Sequence, residues 1–383
     1  MKIKQHKILI LEFIENFHMI YKKIIKLNYK KFTLLSFFIS YFFILGTVII
    51  NYIVDPFQIY RAASFYTFKM DEQRYLNAGL LKSYPFNTII TGSSMVENFN
   101  TPEIEKILQV QNASKLPIQG ASGFELYTTI NRALKYQDIK TIFLGLDIYS
   151  FSNDTAYYKI PSIFPEYLYD DNIFNDLRYL LNYKILKKSL QAIKSPYNKT
   201  AITKKLETIY SWGELFKGLF NKEETQKHFI KELNKYNLKS TLEKEKIQSA
   251  FSISILKKNF DTYLQTIVIN NPSIKFYIFF PPYSSLAFKL MQKQNTLNDV
   301  ILFKKYISEQ LKPYKNVHLY DFQLASDITQ NLDNYKDITH YNQEINYWLL
   351  LQIQNDLYRI NPDFYDEQLK AFQQEIICFP TPI

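Results

Sequence analysis

Gly92-Ser93-Ser94 closes the apolar run "NTIITGSS" in a chain that holds only eight glycines among 383 residues. A glycine at a strand end lets the backbone turn sharply and approach a substrate closely. A serine presented there is a candidate nucleophile, and it needs a base. There are five histidines. His6 and His18 precede a long apolar stretch, and His228, in the charged "TQKHFIKEL", reads as solvated surface. His318 has Asp321 three residues on, an offset that points to the opposite face of a strand. His340, in "KDITHYN", follows Asp337 by three residues in a polar stretch just before a helix, where one turn brings the two together. An aspartate so placed can accept the imidazole Nδ1–H and leave Nε2 free to take a hydroxyl proton. The same residues also suit a tight turn with capping serines, and a capping aspartate beside a half-buried histidine. Both readings stand at this point.

Two further glycine stretches follow apolar runs. In "IQGASGFELY", Gly120 and Gly123 flank Ser122, and the Gly123 N–H can point into the same cleft. In "FLGLDIYSF", Gly145 precedes Asp147 by two. Four of the eight glycines thus fall in three successive strand-end stretches. The segment after Gly92 lacks the second glycine of a G-x-S-x-G nucleophile elbow, which disfavours an ordinary α/β-hydrolase.

In order and spacing these residues resemble the SGNH/GDSL hydrolase superfamily, specifically its membrane-anchored, acyltransferase-like branch. The resemblance covers about 85–358, apart from an insertion. It implies Ser94 as nucleophile, the Gly123 N–H as an oxyanion donor, and Asp337 with His340 as the Asp-x-x-His block. Gly145-Leu146-Asp147 stands where the family has Gly-x-Asn. An asparagine amide donates a hydrogen bond to a developing oxyanion, whereas an ionised aspartate only accepts. Asp147 therefore either stays protonated or does a structural job, leaving the hole to the N–H groups of Ser94 and Gly123. Tyr283, in "FFPPYSS", sits at another strand end and is expected to line the cleft. A rigid Pro-Pro turn accounts for that stretch equally well.

The elements that must position these groups alternate. Short β-rich runs at 87–91, 115–119, 141–149, 275–280 and 317–322 are separated by helical apolar spacing at 101–108, 124–136, 255–268 and 342–358. This predicts an α/β fold, a mostly parallel sheet flanked by helices; the resemblance implies an SGNH-like, flavodoxin-like three-layer arrangement. The interval 152–250 has helical periodicity and no clear strand, and reads as a helical insertion, either a lid or packing. The expected organisation is a basic segment 1–31, a transmembrane helix 32–54, a connector 55–84, the SGNH-like domain 85–360, and a C-terminal tail 361–383.

Residues 32–50 carry no charge, and continuing to Val54 gives a stretch long enough to cross a hydrocarbon core of roughly 30 Å. Residues 8–20 have the spacing of a short amphipathic helix. Eight lysines against two glutamates in residues 1–31 supply +6 of the net charge of +10. The positive-inside rule then keeps the N-terminus cytoplasmic and puts the rest outside the inner membrane. The remaining charge is spread without an arginine-rich stripe, which excludes a nucleic-acid-tracking surface. One cysteine, Cys378, excludes an intramolecular disulfide. No cluster has metal-ligand spacing and no cofactor motif is present, so neither a metal nor a cofactor is expected.

The expectation is a tethered cell-envelope serine esterase or O-acyltransferase acting on a cell-surface glycan or lipid-linked acceptor. Its acyl group would arrive from a separate membrane-embedded acyltransferase. The alternative is a non-catalytic SGNH-like envelope protein that binds glycan or scaffolds an assembly.

Overall fold

The fold is taken from a computed structural model, which describes residues 29–68, 72–152 and 164–382, with 203–205 as backbone only. The expected amphipathic helix at 8–20 lies outside the described residues, as does all of the basic segment before Tyr29. The chain forms two compact units. One comprises the described residues up to Pro56 together with Ile173–Gln191, and the other holds the rest.

In the first unit, α1 (Tyr29–Val54) is long and apolar enough to cross a membrane, with a mean hydropathy of 2.2 over its most apolar window. In the second unit, α2 (Gln73–Ser83) leads into β1 (Thr88–Gly92), α3 (Thr101–Leu108), β2 (Ala113–Pro117), α4 (Gly123–Tyr136) and β3 (Thr141–Gly145). Between β3 and β4 the described residues hold no strand of the sheet and are mainly helical: α5 (Leu177–Leu180) and α6 (Tyr183–Ala192), which up to Gln191 belong to the first unit, then α7 (Lys199–Glu207), α8 (Lys222–Asn237), α9 (Thr241–Ala250) and α10 (Ile253–Asn259) of the second. A π turn carries α10 on into α11 (Thr266–Asn270). Then come β4 (Lys275–Phe280), α12 (Ser285–Lys293), α13 (Leu297–Leu311), β5 (Val317–Asp321), α14 (Ser326–Thr329), α15 (Gln343–Gln354) and α16 (Tyr365–Cys378).

The five strands form one parallel sheet in the order β2-β1-β3-β4-β5. Every residue of β1 and β3 is buried. Such strands read as near-continuous apolar runs because helices cover both faces of the sheet. Phe99, Phe143 and Phe279 pack ring against ring at 5.0–5.8 Å in the core beside β1, β3 and β4. The strand order is the flavodoxin-like doubly wound one. Its direction of winding reverses between β1 and β3, and ligands bind in the crevice that opens there.

Two stretches set apart in the sequence, the connector from Phe57 on and the C-terminal tail, belong to this second unit. The connector 55–84 contains α2, whose Leu76, Leu80 and Leu81 are buried. The C-terminal tail contains α16, which buries Tyr365, Leu369, Phe372 and Ile376. Those four recur at helical spacing, and the flanking Asp, Glu, Gln and Lys residues mask the pattern in the sequence.

Candidate active site

Gly92 and Gly145 are register partners at the ends of β1 and β3. A Cβ on Gly145 would lie 2.5 Å from Val96 Cγ1, and one on Gly92 would lie 2.8 Å from the Gly145 carbonyl oxygen. Gly92 also has φ +149°, a conformation that suits glycine. The paired glycines therefore leave space for Val96, so the chain can fold straight into a 3₁₀ turn, Ser94–Val96. Ser93 caps that turn by accepting from Met95 N–H at 3.3 Å. Ser94, half-buried, opens it.

Ser94 Oγ lies 2.8 Å from His340 Nε2. His340 Nδ1 lies 2.8 Å from Asp337 Oδ2 and 3.0 Å from Oδ1. The same carboxylate folds its own loop. Oδ1 accepts from Thr339 N–H at 2.9 Å and His340 N–H at 2.8 Å, and Oδ2 accepts from Lys336 Nζ at 3.0 Å. Burial alone would push the Asp337 carboxyl up. Hydrogen bonding to His340 and the charges of His340 and Lys336 outweigh it and hold the group well below the usual carboxylate range. Asp337 is thus an ionised acceptor facing the side of the imidazole away from Ser94.

Two ties hold the histidine loop, one to the serine turn and one to the loop after β4. Tyr341 OH donates to the Met95 carbonyl at 3.0 Å, and Ser284 Oγ donates to the Ile338 carbonyl at 2.7 Å. Trp212 comes from the β3–β4 insertion and stands edge-on to His340, with ring centroids 5.4 Å apart. Its loop is fixed by Asn98, whose Oδ1 accepts from both Trp212 N–H and Gly213 N–H.

Asp147 lies at the end of β3 with its carboxylate surrounded by donors. Oδ2 accepts from Ser93 Oγ at 2.6 Å, and Oδ1 accepts from Tyr149 N–H at 3.0 Å and from the Tyr283 hydroxyl. Asp147 also lines the cavity beside Ser94 and His340. It joins the ends of β1, β3 and β4. Tyr283 is therefore not a cleft-lining residue; it is fully buried. Burial, reinforced by the Asp147 charge, raises its phenol well above the ordinary value, so it stays a donor. The sequence placed Tyr283 at the correct strand end but could not show which way the ring turns.

Gly123 is the first residue of α4, under a capping box made by Ser122 and Glu125. A Cβ there would meet Tyr263 and Phe151 at 3.2 and 3.3 Å. A cavity of about 500 Å³ opens beside Ser94 and His340, and it is Gly120 that lines it, not Gly123. Among the described residues the Gly120 N–H has no hydrogen-bond partner. The opposite wall is α8, through His228, Glu232, Lys235 and Tyr236, with Tyr149 and Phe251 completing the aromatic side. His228 is thus a wall residue and not plain solvated surface, and among the described residues its buried Nδ1 has no partner. No local signal marks it, because its neighbours in the wall come from other segments.

Below the serine turn, Lys115 of β2 is fully buried, and its Nζ donates to the Glu97 carbonyl at 2.6 Å and to Ser211 Oγ at 3.1 Å. Burial pushes this ammonium down to about 7, against the pull of Glu97. Below that pH both folded and unfolded chains hold the proton, and the folded chain carries the full cost of burying the charge. Between about 7 and about 10.4, the ordinary lysine value, only the unfolded chain keeps it, so stability rises with pH. Lys115→Met is expected to remove that rise. Urea midpoints of the two proteins between pH 7 and 10 check this; parallel curves would contradict it.

No protein-family model matches the chain, and no curated protein is similar to it. Among solved structures, one described as "a putative platelet activating factor from Streptococcus pneumonia" aligns with 74% of this chain and 90% of its own, at 9% identity and a TM-score of 0.35, a remote likeness.

Proposed function

We propose that the protein is a membrane-tethered serine acyl-transfer enzyme of the SGNH/GDSL kind, an esterase or O-acyltransferase for a cell-surface glycan. The observation that carries this reading is the line of contacts from Ser94 Oγ to His340 Nε2 and from Nδ1 to the Asp337 carboxylate, at 2.8 Å each. Ser94 Oγ attacks an ester or thioester carbonyl while its proton passes to His340 Nε2. Asp337 stabilises the imidazolium, and the tetrahedral oxyanion is held by the N–H groups of Ser94 and, in place of Gly123, Gly120. Collapse breaks the bond to the leaving group, which takes the proton from His340 and leaves an acyl-serine. A second hydroxyl, from water or a sugar, gives its proton to His340, attacks the acyl carbon and restores Ser94.

A cavity of about 500 Å³ with tyrosines and polar side chains in its wall suits a sugar acceptor. In this reading α1 spans the inner membrane with the N-terminus cytoplasmic, and the acyl group comes from a separate membrane-embedded acyltransferase. Asp147 favours the rival reading, a glycan-binding protein without turnover, because it offers no amide donor.

The test is labelling of the full chain in detergent by a fluorophosphonate, with circular dichroism on every variant. Wild type and Ser122→Ala are expected to label, and Ser94→Ala and His340→Ala are not. A folded wild-type protein that takes no label would overturn the enzyme reading in favour of the rival.

A further inference from the structure

The first unit contains more than the long helix. Thr47, Asn51 and Val54 share one face of α1 near its end and are buried, whereas every residue from 29 to 45 is exposed. The partner of that face is the segment 173–191. Asn51 Nδ2 donates to the Leu180 carbonyl at 2.9 Å, Ser189 Oγ donates to Asn51 Oδ1 at 2.9 Å, and Tyr179 OH donates to Asp55 Oδ1 at 3.1 Å. Asn51, Asp55, Tyr179 and Ser189 are all fully buried. A polar latch therefore fixes α5 and α6 to the last two turns of the long helix.

The outward side of this latched segment is apolar. Ile173 is 73% exposed, Phe174 80%, Leu177 51% and Tyr183 72%, with Leu181 and Leu190 also exposed. Lys184 and Lys187 lie between them in sequence and are exposed as well. Aliphatic, aromatic and lysine side chains mixed in this way suit the boundary between acyl chains and headgroups, where rings sit at headgroup level and lysines reach outward to phosphate.

Length sets the depth. About 20 residues cross a hydrocarbon core of roughly 30 Å, so a span starting after Lys31 leaves it near Asn51, the residue that holds the segment.

We infer that residues 173–191 form a collar seated in the outer membrane interface, with the bilayer as its occupant. The collar fixes the depth and tilt of the span. This rests on reading α1 as a membrane span, and the experiment separates the two. Full-length protein with Cys378→Ser is given single cysteines at Phe38, Ile173, Leu177, Tyr183 or Leu238 and reconstituted in liposomes of zwitterionic and anionic phospholipid. Each cysteine carries an environment-sensitive fluorophore, which is quenched either by lipids spin-labelled at shallow or deep acyl positions or by iodide.

The Phe38 label is expected to respond to the deep spin label. Those at 173, 177 and 183 should respond to the shallow one and be shielded several-fold from iodide relative to Leu238, a residue 88% exposed in the second unit. Deep quenching at 38 with free iodide access at 173, 177 and 183 would overturn the collar and keep the span. No lipid quenching at 38 would overturn the span, and the collar with it. Shielding of the collar positions from both iodide and lipid would mean that protein, such as a second copy, covers them, and would also overturn the proposal.

Discussion

Asp337→Asn in the full chain is expected to slow acylation of Ser94 by about 10⁴-fold while the protein stays folded. The carboxylate lies against His340 Nδ1 at 2.8 Å and so requires the proton on that nitrogen. That leaves Nε2 as the acceptor 2.8 Å from Ser94 Oγ. An asparagine amide can donate to Nδ1 instead, which moves the ring proton to Nε2 and leaves the serine without a base. The fold survives because the amide oxygen can still accept from Thr339 N–H and His340 N–H, the bonds that shape the loop. The rate of fluorophosphonate labelling measures the effect. A double variant with Ser94→Ala should lose no more than Ser94→Ala alone, because residues that act as a unit are not additive. An unchanged labelling rate in Asp337→Asn would remove Asp337 from the mechanism.

The second large effect concerns stability. Lys304→Ala is expected to cost about 3–5 kcal/mol, because it strips a buried carboxylate of its counter-charge. Lys304 of α13 and Asp321 at the end of β5 are both fully buried, with Nζ and Oδ2 2.8 Å apart. Gln323 Oε1 accepts from the same ammonium at 2.9 Å, and Tyr365 OH donates to Asp321 Oδ2 at 2.7 Å. Rings of Phe280 and Phe372 lie within 5.3 Å of the ammonium. Burial lowers the Lys304 pKa and the Asp321 carboxylate pulls it back. Lys304→Met combined with Asp321→Leu should be less destabilised than Lys304→Ala, since an apolar pair of similar volume leaves no orphan charge. Urea midpoints in detergent compare the variants. A Lys304→Ala protein as stable as wild type would mean that water reaches Asp321.

What could be read from the sequence was local. The run 275–280 is β4 to the residue, and the helix read from "TPEIEKIL" is α3, which starts one residue earlier than a Thr101 cap implies, with Asn100 as its N-cap. Elsewhere the alternation of apolar runs located each strand to within a few residues, because a doubly covered sheet needs continuous hydrophobicity. Ser94, Asp337 and His340, which the structure places in one line of contacts, were singled out for a related reason. A serine at a strand end and an Asp-x-x-His turn are each built from neighbours in the chain. What escaped was set by distant packing. Trp212 stands against His340 only because Asn98 holds its loop. Lys115 gives no sign in sequence that Glu97 and Ser211 will receive it. Tyr283 turns inward because Asp147 and Ser93 have already arranged an acceptor there. The sequence reading chose Gly123 over Gly120, a three-residue choice that depends on how sharply the chain leaves β2. The C-terminal helix was missed because its apolar face is thin and its flanks are polar.

The bond from Tyr341 to the Met95 carbonyl has a consequence for biosynthesis. Ser94 and His340 are 246 residues apart, and ribosomes add roughly 5–20 residues per second. The serine turn therefore leaves the ribosome roughly 12–50 s before the histidine loop that docks on it. Gly145 and Phe279 face each other in the sheet across the whole helical insertion, so the second half of the sheet must wait through most of that interval. Throughout that time Ser94 has no imidazole beside it, and the contact forms only with the last strand and the turn behind it. The late position of the Asp-x-x-His turn thus makes the Ser94–His340 contact one of the last in the second unit to become possible during synthesis.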